Sequence, residues 1–465
     1  MSRDNESLTC QPSTFSLLQT ANFPAMPSLA LQNRIAQFNP WLLAPGEALS
    51  QVRRYLPERY IPRHAQSVPL HPERALLITG PRQAGKTTLA WRLLLDVIPD
   101  ILFLNMEDSL LRNGFPSPLD LVDFLRHDWP AVRAIFIDEI QHLPEAGLFL
   151  KGLVDARLGI PILATGSSAF DLRDRTRETL AGRATRCFLG PLSMCELLAA
   201  ESLDSPLARS LASRKLFAGQ LTFGGYPAVC LAAKPEEKIT ILSDLVEALI
   251  LRDASDIFRI QRVDAFRRLL VLLAGQVGSL VNYSELAALC SVDVGTIISY
   301  VEIMEESHIL NKVTPYAEGK RREITGTPKI FFLDNGIRNQ LLFNFQSETE
   351  LRPDRGALLE NWVFSEIRKI LPIQDSLRFW RSKSQAEMDF VIVHGSEVFA
   401  IEAKHTLPAS PRLSRSAISF IEAYKPTRLI VVNTSQDTHG ETRTTPVQYM
   451  TPAAFCGWLE NKFGR

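Results

Sequence analysis

The stretch from Gly80 to Thr87 reads GPRQAGKT and constrains the fold more than any other part of this 465-residue chain. Two glycines, with four residues between them, are followed by a lysine and a hydroxyl residue, which is the pattern of a phosphate-binding loop. The apolar run Ala75–Thr79 predicts a buried parallel strand before the loop, and Thr87–Leu95 predicts a helix directly after it. Amides at the N-terminus of such a helix point at an anion. The stretch therefore predicts a nucleotide-binding site on an α/β fold.

The residues of this loop have separate predicted roles. Gly80 and Gly85 let the backbone turn tightly and approach a phosphate without a Cβ clash. Lys86 is expected to reach the β- and γ-phosphates, and the Thr87 hydroxyl is expected to ligate Mg²⁺. The other predicted members of the nucleotide site are Pro81, Arg82, Gln83, Ala84 and Thr88. The expected ligands are therefore ATP and Mg²⁺.

Regular β-α alternation follows from Ala75 onward and predicts a parallel sheet with helices on both faces. The predicted strands are 75–79, 101–105, 133–138 and 160–165, and the predicted helices are 86–98, a segment near 118–127, and 144–157. The third strand ends in Asp138 and Glu139. Because ligands bind at the carboxyl ends of strands in open α/β sheets, Asp138 is expected to hold Mg²⁺ and Glu139 to orient and polarise the attacking water. The alternative is an acid pair that caps the next helix.

Two further groups of polar residues come after the fourth strand. Ser167 or Ser168 could hydrogen-bond the γ-phosphate or the water, although a serine in this place is also a common helix N-cap. The segment Asp171–Arg186 is rich in arginine. One of these residues, Arg183 by preference, could stabilise charge on the transferring phosphoryl group. A solvated, salt-bridged helix remains an equal alternative.

The motifs GPRQAGKTTL, FIDEIQ, ATGSS, and LAGR followed by LGPLSMCEL together resemble an uncharacterised prokaryotic family of AAA+-type ATPases. The resemblance extends over nearly the whole chain from about Arg53, and members of this family continue into a C-terminal region of unknown function. It implies that Lys86 and Thr87 are Walker A residues, that Asp138 and Glu139 are Walker B residues, and that Ser167 or Ser168 is a sensor. It also implies a sheet of five parallel strands, with the last near Arg186–Leu189, and it leaves a homo-oligomer open.

Residues 190–265 read as helices and are interpreted as the helical lid of the ATPase. After them, helical patterns at 266–275, 283–290 and 296–306 precede two predicted strands at 310–314 and 329–333, which is the order of a winged helix. The third helix carries Glu302, Glu305 and Glu306 and no Lys or Arg, which disfavours groove reading in DNA. The loop between the strands is basic and could contact DNA phosphates through Lys320, Arg321 and Arg322.

The C-terminal segment predicts a β-hairpin, Glu387–His394 and Glu397–Lys404, because Gly395-Ser396 suits a two-residue type II′ turn. Counting from this turn places Asp389 opposite Glu402, on one face with Glu387 and Lys404. Directly opposed carboxylates repel each other unless a cation or a shared proton relieves them. With Glu360 on a preceding helix, the spacing resembles the PD-(D/E)xK nuclease superfamily. This resemblance implies a metal site of Glu360, Asp389, Glu402 and Lys404, with an inactive nuclease-like descendant as the alternative.

Composition limits the class of protein. The 51 basic residues balance the 51 acidic ones, so no overall field attracts nucleic acid or a membrane. The six cysteines are scattered without metal-ligand spacing, which favours a reducing cytoplasm. No apolar run approaches the ~18–20 residues of a membrane span. The predicted divisions are an N-terminal extension (1–52), the ATPase core (53–189), the lid (190–265), a winged-helix-like domain (266–345) and a nuclease-like α/β domain (346–465).

Three functions are compatible with these residues. The first is a Mg²⁺-dependent ATPase that couples its nucleotide state to the C-terminal modules. The second adds metal-dependent cleavage of DNA or RNA. The third, which is not enzymatic at the C-terminus, is a nucleotide-gated switch that binds a protein partner through an inactive nuclease-like domain.

Overall fold

The fold is that of a computed structural model, which describes residues 28–166, 180–202, 205–249, 260–317, 326–346, 351–372, 375–408 and 411–464. Its N-terminal part contains seven α-helices and five strands within the described residues. In chain order these are α1 (Leu29–Phe38), α2 (Pro40–Leu43), α3 (Ala48–Val52), β1 (Ala75–Thr79), α4 (Lys86–Leu93), β2 (Ile101–Asn105), α5 (Ser109–Gly114), α6 (Pro118–His127), β3 (Ala134–Asp138), α7 (Ala146–Asp155), β4 (Ile162–Gly166) and β5 (Ala184–Phe188).

The five strands form one parallel sheet in the order β2-β3-β4-β1-β5. The strands β1–β4 are short, mostly apolar runs, and separate hydrophobic clusters cover the two faces of the sheet, as expected for a parallel sheet between two helical layers. The edge strand β5 is mixed in composition and mostly half-buried. The strand β4 lies between β1 and β3, so the carboxyl ends of these three strands meet at one edge of the sheet. The predicted α/β fold with a five-stranded parallel sheet is confirmed.

The helices α1–α3 cover the outer edge of this sheet. Asn39 bonds the backbone of Phe103 on β2 in both directions, at 2.9 Å to its carbonyl and 2.6 Å from its amide. The indole of Trp41 donates to the carbonyl of Ile101, also on β2, at 2.8 Å. These bonds satisfy the free backbone groups of an edge strand. Residues 29–52 therefore pack against the five-stranded sheet, a contact that their weak periodicity did not indicate. The division at residue 52 stays a prediction.

The middle of the chain is helical and then returns to strands. Its elements are α8 (Met194–Ala199), α9 (Pro206–Phe223), α10 (Pro227–Leu231), α11 (Pro235–Ala248), α12 (Val263–Gly275), α13 (Tyr283–Cys290), α14 (Val294–Glu306), β6 (Leu310–Pro315) and β7 (Lys329–Phe332). The strands β6 and β7 pair antiparallel, and the three helices before them follow the predicted order. Within the described residues no single helix could span a membrane, and α13 with α14, bent by 100°, meets the length and composition criteria only as a pair.

The C-terminal part adds α15 (Asn335–Leu341), α16 (Arg355–Ile370), β8 (Ser376–Arg381), β9 (Glu387–His394), β10 (Glu397–Lys404), α17 (Arg415–Tyr424), β11 (Arg428–Asn433), β12 (Thr438–Thr442), β13 (Thr445–Met450) and α18 (Pro452–Phe463). Its strands join β6 and β7 in one eight-stranded sheet of order β12-β13-β11-β10-β9-β8-β6-β7. One hydrophobic cluster extends from Met194 to Phe463. The predicted boundaries at 265 and 345 therefore fall inside a shared core and a shared sheet, and they stay predictions.

Candidate functional site

The loop between β1 and α4 has the backbone conformation that its glycines allow. Gly80 has φ +153° and Gly85 has φ +94°. A Cβ added at Gly80 would lie 2.1 Å from the carbonyl oxygen of Leu189, the residue after β5, so no other residue fits there without a shift of backbone. The helix α4 begins at Lys86, directly after the loop. The first turn of this helix therefore directs its free amides into the loop, as anion binding requires.

The ammonium group of Lys86 lies inside this loop. Its Nζ donates to the carbonyls of Gly80 and Pro81, both at 3.0 Å, and the side chain is buried. A buried ammonium needs acceptors for its protons, and phosphate oxygens are acceptors of the same kind. The geometry therefore keeps a positive charge at the place where the sequence predicts the β- and γ-phosphates.

Thr87 and Asp138 meet across the sheet edge, next to Lys86. The Thr87 hydroxyl lies 3.0 Å from Oδ1 and 3.1 Å from Oδ2 of Asp138, and the hydroxyl of Thr165 on β4 also donates to Oδ1. Burial is the largest influence on the Asp138 carboxyl and raises its pKa to about 6, although the two hydroxyls oppose this shift. A cation beside this carboxylate would offset the cost of burying its charge.

Glu139 follows Asp138 in a left-handed conformation, with φ +53°. Its backbone amide donates to the Thr165 hydroxyl at 3.2 Å, and its carboxylate accepts from the side chain of Gln141. Glu139 lines a cavity beside the loop. Thr165 thus contacts both predicted Walker B residues, a contact that sequence reasoning did not foresee.

The cavity beside the loop has a volume of about 390 Å³. It is large enough for a nucleotide-sized ligand. Its lining comes from the loop, from Glu139, from the segment before β1, from residues of α10 and from the turn before α8. The lining residues include Tyr60, Ile61, Arg63, Gln83, Gly85, Lys86, Thr87, Thr88, Glu139, Leu192, Pro227, Ala228 and Leu231.

The donor set at this edge fits Mg²⁺. Magnesium prefers oxygen ligands, keeps several waters, and in nucleotide sites is held by one or two protein oxygens and by phosphates. The Thr87 hydroxyl and the Asp138 carboxylate supply such oxygens, and Asp138 makes no ion pair within the described residues. Within the same residues no group of three acidic, histidine or cysteine side chains converges on a metal position. Phosphate oxygens and water would therefore have to complete the shell.

The predicted sensor serines, the basic loop residues and the predicted arginine remain to be placed. Ser167 and Ser168 lie outside the described residues, as do Lys320, Arg321 and Arg322. Arg183, the preferred arginine finger, forms a half-exposed ion pair with Asp155 at 2.7 Å. The alternative interpretation of the Asp171–Arg186 segment expected solvated salt bridges of this kind. The catalytic role of Arg183 stays a prediction.

Arg63 is a buried residue at this site that sequence reasoning missed. Its guanidinium donates to the carbonyl of Ala84 in the loop at 2.8 Å, to the carbonyl of Gly190 at 2.6 Å and to the carboxylate of Glu196 at 3.0 Å. No motif surrounds Arg63 in the sequence, so only the long-range contacts reveal it. The one local signal was the dense charged lead-in before the first strand.

The C-terminal hairpin has the predicted register as far as the structure pairs it. His394 lies opposite Glu397, and the antiparallel ladder continues to Phe390 opposite Ile401. The ladder ends there, one step before Asp389 and Glu402. Instead, the Asp389 carboxylate accepts a hydrogen bond from the backbone amide of Ala403 at 2.7 Å. Burial, followed by the charge of Glu360, raises the pKa of Asp389 to about 8.

The acidic side chains here, Glu360, Glu387, Asp389 and Glu402, form what we term the C-terminal carboxylate cluster. Lys329 on β7 lies among them, with Nζ 3.1 Å from Glu360 and in a closer ion pair with Glu387. The Lys329 side chain is only 4% exposed. Burial opposes its charge, but Glu360 and Glu387 outweigh burial and raise the pKa of Lys329. Lys404 forms a second pair, at 3.0 Å, with Glu402.

The sequence placed Lys329 at the start of a predicted strand (329–333) in another domain, and placed Glu387 on the same face of the hairpin as Lys404. The structure instead pairs Glu387 with Lys329, because β7 joins the C-terminal sheet. The ammonium of Lys329 supplies the positive charge that a metal ion would supply to Glu360. A divalent cation does not fit beside it without repulsion. The predicted metal site of Glu360, Asp389, Glu402 and Lys404 therefore stays a prediction that this arrangement does not favour.

Comparisons with known proteins match three parts of the chain to domain families. Residues 72–198 match the family described as AAA domain, residues 214–348 match the domain of unknown function DUF8612, and residues 355–451 match the domain of unknown function DUF4143. The match places an AAA-type P-loop domain on the five-stranded sheet. Neither of the other two matches names an activity.

Relatives that match most of the chain are also without a described activity. An uncharacterized protein of Mycobacterium tuberculosis is 28% identical over 366 residues, which cover 78% of this chain and 77% of the relative. An uncharacterized protein of Haemophilus influenzae is 26% identical over 373 residues, which cover 75% of this chain and 87% of the relative. The similarity is therefore longer than the part of the chain that matches the AAA domain.

Two solved structures are similar to part of the chain. The RuvB Holliday junction branch migration motor of Thermotoga maritima has a TM-score of 0.24 at 17% identity and covers 52% of this chain and 82% of its own. The replication initiator DnaA, bound to AMPPCP and single-stranded DNA, has a TM-score of 0.24 at 15% identity and covers 59% of this chain and 91% of its own. Scores of this size carry no argument about function.

Proposed function

We propose that this protein is a Mg²⁺-dependent ATPase whose nucleotide state is coupled to its C-terminal part. The observation that carries the proposal is the pairing of Thr87 with Asp138 beside the buried Lys86 ammonium, next to a nucleotide-sized cavity that Lys86 and Thr87 line. A charged lysine, a hydroxyl and an acid that forms no ion pair within the described residues make up a set of groups that can bind a triphosphate with its metal.

Binding of the triphosphate would replace the present hydrogen-bond acceptors of Lys86 by phosphate oxygens. Lys86 would give up the carbonyls of Gly80 and Pro81 for phosphate oxygens, while the loop amides at Gly85 and Lys86 bind the same anion. Thr87 and Asp138 would hold Mg²⁺, which neutralises charge on the phosphates when bound. The Thr165 hydroxyl keeps Asp138 oriented, so this carboxylate need not reorganise.

Hydrolysis would use Glu139. Its carboxylate lines the cavity and would accept a hydrogen bond from the attacking water, which it orients and polarises. Gln141 now holds that carboxylate by a hydrogen bond and would position it. Ser167 is proposed to sense the γ-phosphate. Arg183 is proposed to stabilise the developing charge, for which it would first have to leave Asp155.

The experiment is a steady-state assay of phosphate release from ATP with Mg²⁺. Lys86→Ala should abolish hydrolysis, because the loop loses the charge that binds the phosphates. Lys404→Ala is the matched control, since this lysine lies in the C-terminal carboxylate cluster and should leave turnover unchanged. Equal hydrolysis by the wild type and Lys86→Ala would refute the proposal.

Coupling to the C-terminal part is supported by Leu192, which lines the cavity and is also bonded to the C-terminal half. Its carbonyl accepts from Lys369 on α16 at 3.1 Å, and the amide of Met194 donates to Glu366 on the same helix at 2.9 Å. The helix α16 also carries Glu360. A change at the nucleotide cavity would therefore reach the C-terminal carboxylate cluster through one rigid helix.

A second candidate, favoured by Lys329, is that the coupled C-terminal part binds a protein partner and cleaves nothing. The internal ammonium of Lys329 already pairs with both Glu360 and Glu387. The exposed face of α14, with Val294, Ile298 and Glu302, is apolar and acidic, which suits a protein better than phosphates. Contact of Lys320, Arg321 and Arg322 with DNA is the competing use of this region.

One set of assays separates these functions. Plasmid, single-stranded DNA and RNA are incubated with the protein in Mg²⁺ or Mn²⁺, and ATP hydrolysis is measured with and without DNA. The switch predicts no cleavage and no stimulation, together with nucleotide-dependent hydrogen exchange in α16. Cleavage that is lost in Asp389→Ala would instead establish the nuclease, and stimulation by DNA would establish a nucleic-acid partner.

A further inference from the structure

Arg63 connects three segments that surround the candidate nucleotide cavity. It lies in extended backbone before β1. Its guanidinium donates three hydrogen bonds: to the carbonyl of Ala84 in the loop, to the carbonyl of Gly190 two residues after β5, and to the carboxylate of Glu196 on α8. The residue is 8% exposed. Because these acceptors belong to the loop, to the segment that leaves β5 and to the helix α8, a single side chain fixes their relative positions.

The chemistry of a phosphate loop explains why a donor is needed at Ala84. When the amides of a loop face an anion, the carbonyls between them must face the other way, and a buried carbonyl without a donor is costly. Arg63 supplies this donor. A planar guanidinium can bond several acceptors in fixed directions at once, whereas a lysine ammonium is a compact charge on a flexible stem.

Glu196 keeps the guanidinium in place and balances its charge. Burial alone would raise the pKa of this carboxyl, but Arg63, the Ser193 amide and His64 lower it, so the pair is ionised. The Glu196 carboxylate also accepts from the backbone amides of Ser193 and His64, both at 2.9 Å. It therefore links the residue after Arg63 to the capping box that begins α8.

We infer that Arg63 is a positioning residue for triphosphate binding: it holds the Ala84 carbonyl away from the cavity, so that the amides after it face the phosphates. This inference rests on the proposed ATPase function. The side chain acts through the loop backbone, and Glu196 extends the same constraint to the lid. Arg63 should thus set the affinity for MgATP and leave the chemical step unchanged.

The test compares Arg63→Lys and Glu196→Gln with the wild type, and uses Arg54→Lys as the control. Arg54 is exposed and contacts Tyr55, away from the loop. Steady-state ATP hydrolysis gives kcat and KM, and titration with a nonhydrolysable ATP analogue gives Kd. Arg63→Lys should raise Kd and KM about 10- to 100-fold, as expected when hydrogen bonds to charged groups are lost.

The split between kcat and KM identifies the role. Loss of positioning affects the bound nucleotide and the transition state alike, so kcat should stay within about threefold of the wild type. Glu196→Gln should raise Kd less, and the double variant should fall short of the product of the two single effects, because both changes break one network. Arg54→Lys should match the wild type.

Three results would overturn the inference. They are an unchanged Kd in Arg63→Lys, a loss of kcat at unchanged KM, and multiplicative effects in the double variant. If Arg63→Lys does not fold, Glu196→Gln alone decides, and an unchanged Kd there counts against it. Lys86→Ala separates this outcome from failure of the ATPase itself: loss of binding in Lys86→Ala with normal binding in Arg63→Lys refutes only the positioning role.

Discussion

Two buried acidic sites of this molecule differ in how their charge is balanced. At the sheet edge, Asp138 is hydrogen-bonded by two hydroxyls and forms no ion pair within the described residues, beside a cavity of about 390 Å³. In the C-terminal carboxylate cluster, Lys329 lies between Glu360 and Glu387, and Lys404 pairs with Glu402. The first site has room and a need for a cation, and the second already contains its cations.

The way in which the charge is balanced distinguishes a site that can bind a ligand from a cluster that stabilises the fold. A carboxylate that is buried without a cation is costly, and a ligand that brings a cation recovers that cost. A carboxylate that is paired within the fold gains nothing from a ligand, but it connects the segments that carry the charges. The lysine–acid pairs here join β7, α16 and β9, which belong to different predicted domains.

The largest expected effect distinguishes the two sites in catalysis. Glu139→Gln should retain MgATP binding and lower turnover by about 10²–10⁴-fold, because an amide cannot polarise the attacking water. Glu402→Gln, the corresponding change in the C-terminal carboxylate cluster, should not change turnover. Phosphate release under saturating MgATP measures both. A similar loss in both variants would mean that the two sites act together in hydrolysis.

The next effect concerns stability. Lys329→Met should lower the free energy of unfolding by about 3–5 kcal/mol, because it leaves Glu360 and Glu387 without their shared cation. Lys404→Met should cost at most about 1 kcal/mol, since this lysine is 47% exposed. Urea unfolding of both variants gives the comparison. Mn²⁺ should stabilise Lys329→Met more than the wild type, and equal stabilisation would show that the wild-type cluster accepts a metal.

A smaller effect tests the hydroxyl that supports Asp138. Thr165→Val should weaken hydrolysis about 10- to 100-fold, because it removes a hydrogen bond to a charged group and the acceptor of the Glu139 amide. Thr165→Ser keeps the hydroxyl and is the matched control. If valine and serine behave alike, the orientation of Asp138 does not depend on this residue.

The smallest effect is in the acid stability of a paired carboxylate. Burial alone would raise the pKa of Asp354, but hydrogen bonds from Arg352 and Arg338 outweigh it and lower the pKa to about 2. Because the folded pKa lies below the unfolded one, this pair contributes stability above about pH 4 and loses it as the pH falls towards about 2. Asp354→Asn should make the urea midpoint depend less on pH in acid, because unfolding of this variant takes up one proton fewer. An unchanged pH dependence would show that the arginines do not keep this acid ionised.

Local pattern predicted much of the nucleotide part. The strand Ala75–Thr79, the helix start at Lys86 and the strand end at Asp138 agree with the structure, because short apolar runs with a glycine-rich turn allow few arrangements. The fifth strand, β5, ends at Phe188, slightly earlier than expected. The predicted hairpin register also holds from His394 to Phe390, since a two-residue turn fixes it.

The contacts that connect distant segments could not be read from the sequence. Arg63 bonds residues that are 21 and 133 positions away in the chain. Lys329 lies on a strand that the sequence pattern assigned to another domain, and it pairs with Glu360. Charged side chains of this kind look like surface residues in a sequence, because nothing local shows that they are buried. Asn39 and Trp41 were missed for the same reason, as their partners lie on β2.

The most direct measurement is calorimetric titration of the purified wild-type protein with a nonhydrolysable ATP analogue and Mg²⁺, repeated with Lys86→Ala. The triphosphate site predicts saturable binding heat for the wild type, weaker binding when Mg²⁺ is withheld, and none for Lys86→Ala. Absence of heat with the wild type, or the same heat with Lys86→Ala, would contradict the assignment of the Gly80–Thr87 loop and Asp138 as the place where nucleotide and metal are bound.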